Sequence, residues 1–134
     1  MTRHTLPNRR PCITSTTEWQ GRKITVTVGF YPDPDAPWRA DPTRPGEVFA
    51  DMKQDAPIAA MLSDHCTTSS IAMQHGTPAE ALGKSLGTVP VMQIVDGVPT
   101  MVDAAASPAG PIIAEVVADV AWIAAAIACH GGQP

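Results

Sequence analysis

Aromatic side chains make up only 4% of this 134-residue chain and charged ones 16%, and there are three cysteines. Cys12, Cys66 and Cys129 lie far apart and form no Cys-x-x-Cys pair, which excludes a zinc ribbon and a disulfide framework and points to the cytoplasm. Gly-x-Ser-x-Gly, His-Glu-x-x-His, a Walker loop and a glycine-rich dinucleotide fingerprint are all missing. No nucleophile with an adjacent base can be assembled from spacing, so no catalytic residue, metal or cofactor is expected, and the chain reads as a non-enzyme. There is no basic surplus either. A formal charge of −4 argues against a protein that coats DNA or RNA. The first twenty residues hold no apolar run, so no secretory signal is expected. The longest apolar stretch, Pro111–Cys129, is interrupted by Glu115 and Asp119, and reads as a buried helix and not as a membrane span.

What is present is a folded composition, 44% apolar and of a length that supports one domain with its own core. The centre of the pattern is Asp64–Gly87, which reads helix, turn, helix. Gly76 is suited to end the first helix in a left-handed conformation, Thr77 to cap the second with Pro78 at its first position, and Glu80 to complete a capping box. Upstream, Ile13–Trp19 and Arg22–Tyr31 flank the two-residue turn Gln20-Gly21, and Ile24, Val26, Val28 and Phe30 alternate with polar or small residues. That predicts a hairpin with one apolar face. The proline-rich stretch from Pro32 to Pro45 predicts an exposed surface loop, followed by a third strand over Gly46–Met52.

The first helix is expected over Pro57–His75, with Ile58, Met61, Leu62, Ser69, Ala72 and Met73 toward the sheet; the second runs over Pro78–Leu86. Val89–Val95 and Val98–Val102 about Asp96-Gly97 predict a second hairpin, in which Pro90 and Pro99 require edge positions. The last helix starts near Ser107-Pro108 or Pro111 and ends at His130-Gly131-Gly132. Its apolar residues go much of the way round the axis, so its outer side is a candidate oligomer interface. The fold class is α+β: an N-terminal antiparallel sheet against C-terminal helices, with a short hairpin before the last helix.

Arg3, His4, Arg9 and Arg10 fall in the first ten residues, whereas the first carboxylate is Glu18. This basic tail (residues 1–11) is either solvated or an arginine group for a phosphate or carboxylate, with Pro7 stiffening the backbone before Arg9 and Arg10. Lys53, between strand and helix, is either a solvated strand end or a partner for a phosphate at the helix N-terminus. Asp64 either faces water or holds an arginine from the tail. Ser69 and Ser70 suit close packing of helix on sheet. Gln74 and His75 close the helix, where an imidazolium also complements the helix dipole.

With Leu6-Pro7-Asn8-Arg9-Arg10, the strand Ile24–Tyr31, Gly46-Glu47-Val48-Phe49, Lys53, Asp64, Ser70 and Ile71-Ala72-Met73-Gln74-His75-Gly76 in this order, residues 6–87 resemble the TSCPD domain. That module is found at the C-terminus of vitamin B12-dependent ribonucleotide reductases and as stand-alone bacterial and phage proteins. The name-giving Thr-Ser-Cys-Pro-Asp string is absent, and Asp55-Ala56 stands where relatives tend to carry Gly-Ser. None of the reductase's catalytic domain is present. The resemblance implies a non-catalytic binding module, with Asn8, Arg9, Arg10, Lys53, Asp64, Ser70, Gln74 and His75 as ligand-binding candidates. The expected ligand is a phosphate-bearing small molecule, a nucleotide or cyclic nucleotide, held by a homo-oligomer. By analogy with small phage sponge proteins, such a module would sequester a nucleotide immune signal. The alternative is a protein-interaction module of a ribonucleotide reductase with no small ligand.

Overall fold

The computed structural model describes residues 2–52 and 56–131. Three antiparallel strands in the order β1-β2-β3 form the first sheet: β1 (Cys12–Trp19), β2 (Arg22–Asp33) and β3 (Ala36–Asp51). Gln20 (φ 51°) and Gly21 (φ 76°) turn β1 into β2 with both central residues left-handed, the geometry that matches strand twist. The alternation in β2 does what its period requires. Ile24, Val26, Val28 and Phe30 are fully buried on one face and, with Val48 of β3, form the floor of the core.

The stretch from Pro32 to Pro45 is strand and not a surface loop. β2 runs on to Asp33 and β3 starts at Ala36, with Pro32 opposite Ala40 and Phe30 opposite Pro45 across irregular register shifts. Proline is tolerated because β3 is an edge strand and β1 stops opposite Gly29, so beyond that point each strand has one unpaired side where a missing N–H breaks no ladder. Asp33 holds the turn, accepting from the Asp35 N–H at 2.9 Å and from Arg39 Nε at 2.8 Å, and these bonds keep its carboxyl below the usual carboxylate range.

Helix α1 (Ala56–Gln74) packs on β3 through Leu62, Cys66, Ser69 and Met73, spaced 4-3-4 in the chain. Met61, expected on that face, is 71% exposed, and Cys66 is buried in the stripe instead. At the end of α1 the Thr77 N–H donates to Ala72 O and the Gly76 N–H to Met73 O, both at 3.0 Å, with Gly76 at φ 99°. This is a Schellman motif. It removes the expected capping box. The cap of α2 (Ala79–Lys84) is Pro78, one residue later, and no side chain bonds to the first turn.

The second hairpin, β4 (Thr88–Val95) and β5 (Val98–Ala105), turns at Asp96 (φ 51°) and Gly97 (φ 79°) and forms a separate two-stranded sheet. Trp19 Nε1–H donates to Ala105 O at 3.2 Å, tying its base to β1. Helix α3 (Ala109–Gly131) buries Ile112, Ile113, Val116 and Ile123 against α2 and the first sheet. By length and mean hydropathy (2.1 over Ala109–Cys129) it is apolar enough to cross a membrane. It is covered on one side only, and the expectation of a buried helix holds for that side. Ala114, Ala118, Ala121, Ala125 and Trp122 face outward. Inside, Asp119 is buried beside Glu115, and burial first, then the neighbouring carboxylate, pushes its carboxyl up to about 6. The architecture is α+β.

Candidate functional site

The N-terminal tail does not project into solvent. Its backbone is tied to the C-terminal end of α1 by the His4 N–H, which donates to Gln74 O at 3.1 Å, and to β2 by the Tyr31 hydroxyl, which donates to His4 O. Gly46 makes this possible: a Cβ there would lie 2.7 Å from both Leu6 Cδ1 and Tyr31 Cε2, so only glycine lets the tail lie flat on β3. Farther on, the Phe30 N–H donates to Pro11 O at 2.9 Å, so the tail enters β1 already in register.

Residues distant in sequence meet along this seam. Arg3 Nε–H donates to Gln74 Oε1 at 2.6 Å, and Gln74 Nε2–H donates to Gly46 O at 3.0 Å, so one buried amide holds tail, helix and strand together. Ser70 Oγ accepts the Val48 N–H at 2.9 Å and lies 2.7 Å from Cys66 O, to which it can donate. It stitches α1 to β3. Arg10 pairs with Glu47 through Nε and also donates to Pro7 O at 3.0 Å; the Glu47 contact raises the guanidinium's already high pKa. Glu47 lies across β2 because Gly29 leaves room, since a Cβ there would meet its Oε1 at 2.5 Å.

Arg3, Glu47, Phe49, Ser70, Ile71 and Gln74 line a cleft of about 280 Å³ between tail, β3 and α1. A neighbouring cleft of about 250 Å³ is lined by Tyr31, Arg44, Gly76 and Thr77 among others. In the second cleft the Arg44 guanidinium carbon lies 4.2 Å from the Tyr31 ring centroid. Burial raises the Tyr31 hydroxyl's pKa, and the positive charges of Arg44 and Arg3 act against that rise.

The candidate residues thus separate into groups. Arg10, Ser70 and Gln74 lie on the seam, engaged with protein partners. Asn8 is exposed, and its carbonyl accepts from Arg10 Nη1 at 3.5 Å. Arg9 is exposed. Asp64 is exposed on α1 and holds no tail arginine: Arg3 and Arg10 are taken by Gln74 and Glu47 instead. His75 is half-buried at the end of α1. Lys53 lies outside the described residues. Arg44, Tyr31 and Phe49 were not anticipated. The signal for Arg44 was hidden by reading its segment as a loop. Among the described residues no group of three His, Cys, Asp or Glu could hold a metal ion.

No protein-family model matches the chain, and no solved structure matches it. Among curated proteins it is similar to the vitamin B12-dependent ribonucleotide reductase of Rhodopirellula baltica, 35% identical over 81 residues. Those residues are 60% of this chain and 7% of the reductase, so the chain spans well under a tenth of that protein. The similarity relates this chain to a segment of a reductase and says nothing of catalysis.

Proposed function

We propose that this chain is a non-catalytic binding module of TSCPD type that acts as a homo-oligomer and holds a phosphate-bearing small molecule, a nucleotide or cyclic nucleotide. The observation that carries the reading is the placing of Arg3 against Gln74 and of Arg44 over the Tyr31 ring, one at each cleft, in a protein of net charge −4. Glu47 offsets Arg10, and Arg3 and Arg44 then supply positive charge at the two clefts. Guanidinium forks suit phosphate oxygens, and the 55%-exposed Phe49 ring in the larger cleft suits a base face. In a phage, such a module would sequester a nucleotide signal without converting it.

Titration calorimetry against a panel of nucleotides and cyclic nucleotides tests this. Binding of at least one member is expected, with recovery of the ligand intact after denaturation. Arg3→Ala and Arg44→Ala should each weaken it by about tenfold or more, the effect of one lost charge-assisted contact. A panel that gives no heat would overturn the reading. The second reading, an accessory module docking on a ribonucleotide reductase, draws on the similarity to the Rhodopirellula baltica protein. It predicts capture of a reductase that is unaffected by either arginine change.

A further inference from the structure

Of the described strands and helices, β4 of the hairpin β4–β5 is the least covered by its own chain. Every residue of β4 is exposed, and Met92, Ile94, Val98 and Met101 are each 57 to 66% exposed. A lone two-stranded ribbon is marginal in water. Its backbone tells what it lacks. The Ala106 N–H donates to Gly87 O at 3.0 Å, and pairing continues from Thr88 opposite Ala105 to Val95 opposite Val98. Hydrogen-bonded pairs alternate along an antiparallel ladder, so Val89, Val91, Gln93 and Val95 bond inward to β5. Thr88, Pro90, Met92 and Ile94 aim their backbone groups outward. Pro90 has no donor, which leaves the N–H and C=O groups of Met92 and Ile94 open at the middle of the edge.

The other edges are guarded. On β5 the outward positions include Pro99, which cannot donate, and the charged Asp103. The outer strands of the first sheet carry Glu18 on β1, and Pro37, Arg39, Pro42 and Arg44 on β3. β4 has no charged residue at all.

We propose that β4 pairs antiparallel with β4 of a second copy of this chain, about a two-fold axis at Gln93. In that register Met92 of each copy stands opposite Ile94 of the other, and the two pairs exchange four backbone hydrogen bonds. Pro90 falls opposite Asp96 of the turn, beyond the paired segment, so its missing donor breaks nothing. Gln93 meets its own equivalent in a non-hydrogen-bonded pair. No like charges face each other near the axis, although each copy carries −4 overall. A strand whose open groups, proline and uncharged side chains all fit its own two-fold image selects a second copy over a foreign strand. The inference rests on the homo-oligomer part of the proposed function and moves the expected interface from α3 to β4.

Light scattering and disulfide trapping on the full chain test it. The wild type should be a dimer at micromolar concentration, and Ile94→Lys should dissociate it by about tenfold or more with an unchanged circular dichroism spectrum. In a background of Cys12→Ser and Cys129→Ser, Gln93→Cys should form an intermolecular disulfide about ten times faster than Thr100→Cys, its neighbour on β5. Directly opposed residues in such a pair have Cβ atoms about 4.5–5.5 Å apart, close to disulfide reach. A monomeric wild type would overturn both the pairing and the oligomer. A dimer that survives Ile94→Lys, with Gln93→Cys trapping no faster than Thr100→Cys, would overturn the pairing alone and leave an oligomer held elsewhere.

Discussion

Two hairpins in this chain turn on nearly the same backbone, φ 51° and 76° at Gln20-Gly21 and φ 51° and 79° at Asp96-Gly97. One becomes the floor of the core, with Ile24, Val26, Val28 and Phe30 at 0% exposure; the other stays exposed along the whole of β4. Turn chemistry is therefore shared, and what differs is company. β2 has a strand on each side and helices α1 and α3 over its apolar face. β4 has one neighbour and no layer. A hairpin's existence follows from its turn and alternation, whereas its burial is decided by which other elements the chain can bring to it.

The largest expected effect separates the two regions directly. Phe30→Ala opens a cavity among fully buried neighbours and should cost about 3–5 kcal/mol in urea denaturation. Ile94→Ala removes a side chain that is 66% exposed and should cost no more than about 0.5 kcal/mol in the dissociated chain. Comparable losses at the two positions under dissociating conditions would show the hairpin to be packed into the body.

A second effect belongs to the body alone. Asp119, buried on α3 beside Glu115, has its carboxyl pushed up to about 6. Between the ordinary carboxylate range, near 4, and about 6, the folded chain holds a proton that the unfolded chain has released. Stability is then greatest below that window, falls as pH rises through it, and levels off above. The loss should be about 2–3 kcal/mol, read as a falling melting temperature, and Asp119→Asn should flatten the curve. An unchanged slope in Asp119→Asn would place the proton elsewhere.

The same comparison explains which features could be read from the sequence. Both turns, the alternation of Ile24 to Phe30 and the helix stop at Gly76 are encoded by residues adjacent in the chain, and each is where the pattern places it. The strand through Pro32–Pro45 was not legible, because proline's effect depends on whether a strand is central or edge, and that is a property of the sheet. The loss of the capping box at Thr77 was not legible either, since its N–H is consumed by a bond back to Ala72 of the preceding helix. At the candidate site, Arg10, Ser70 and Gln74 were legible as interesting polar residues at element ends. Their partners were not. The Arg3–Gln74 bond joins positions 71 apart, and it exists only because Gly46 lets the tail lie against the strand.

The smallest effect gives the sharpest version of the comparison. Gly21 and Gly97 have almost equal positive φ, 76° and 79°, and a Cβ built on either meets nothing within 4 Å. Alanine at either position therefore adds the same backbone strain, about 1 kcal/mol, with no steric difference to confuse the result. In Gly21→Ala the strained turn belongs to the cooperatively folded body, so the full amount should appear in global unfolding. In Gly97→Ala, in a dissociated chain, the strain can be relieved by opening the hairpin alone. The global midpoint should then stay put, while hydrogen-exchange protection of the inward-bonded amides of β4 and β5 falls roughly fivefold. If instead both substitutions shift the midpoint equally, β4–β5 unfolds with the body, and its exposed strands are held by more than the Asp96-Gly97 turn.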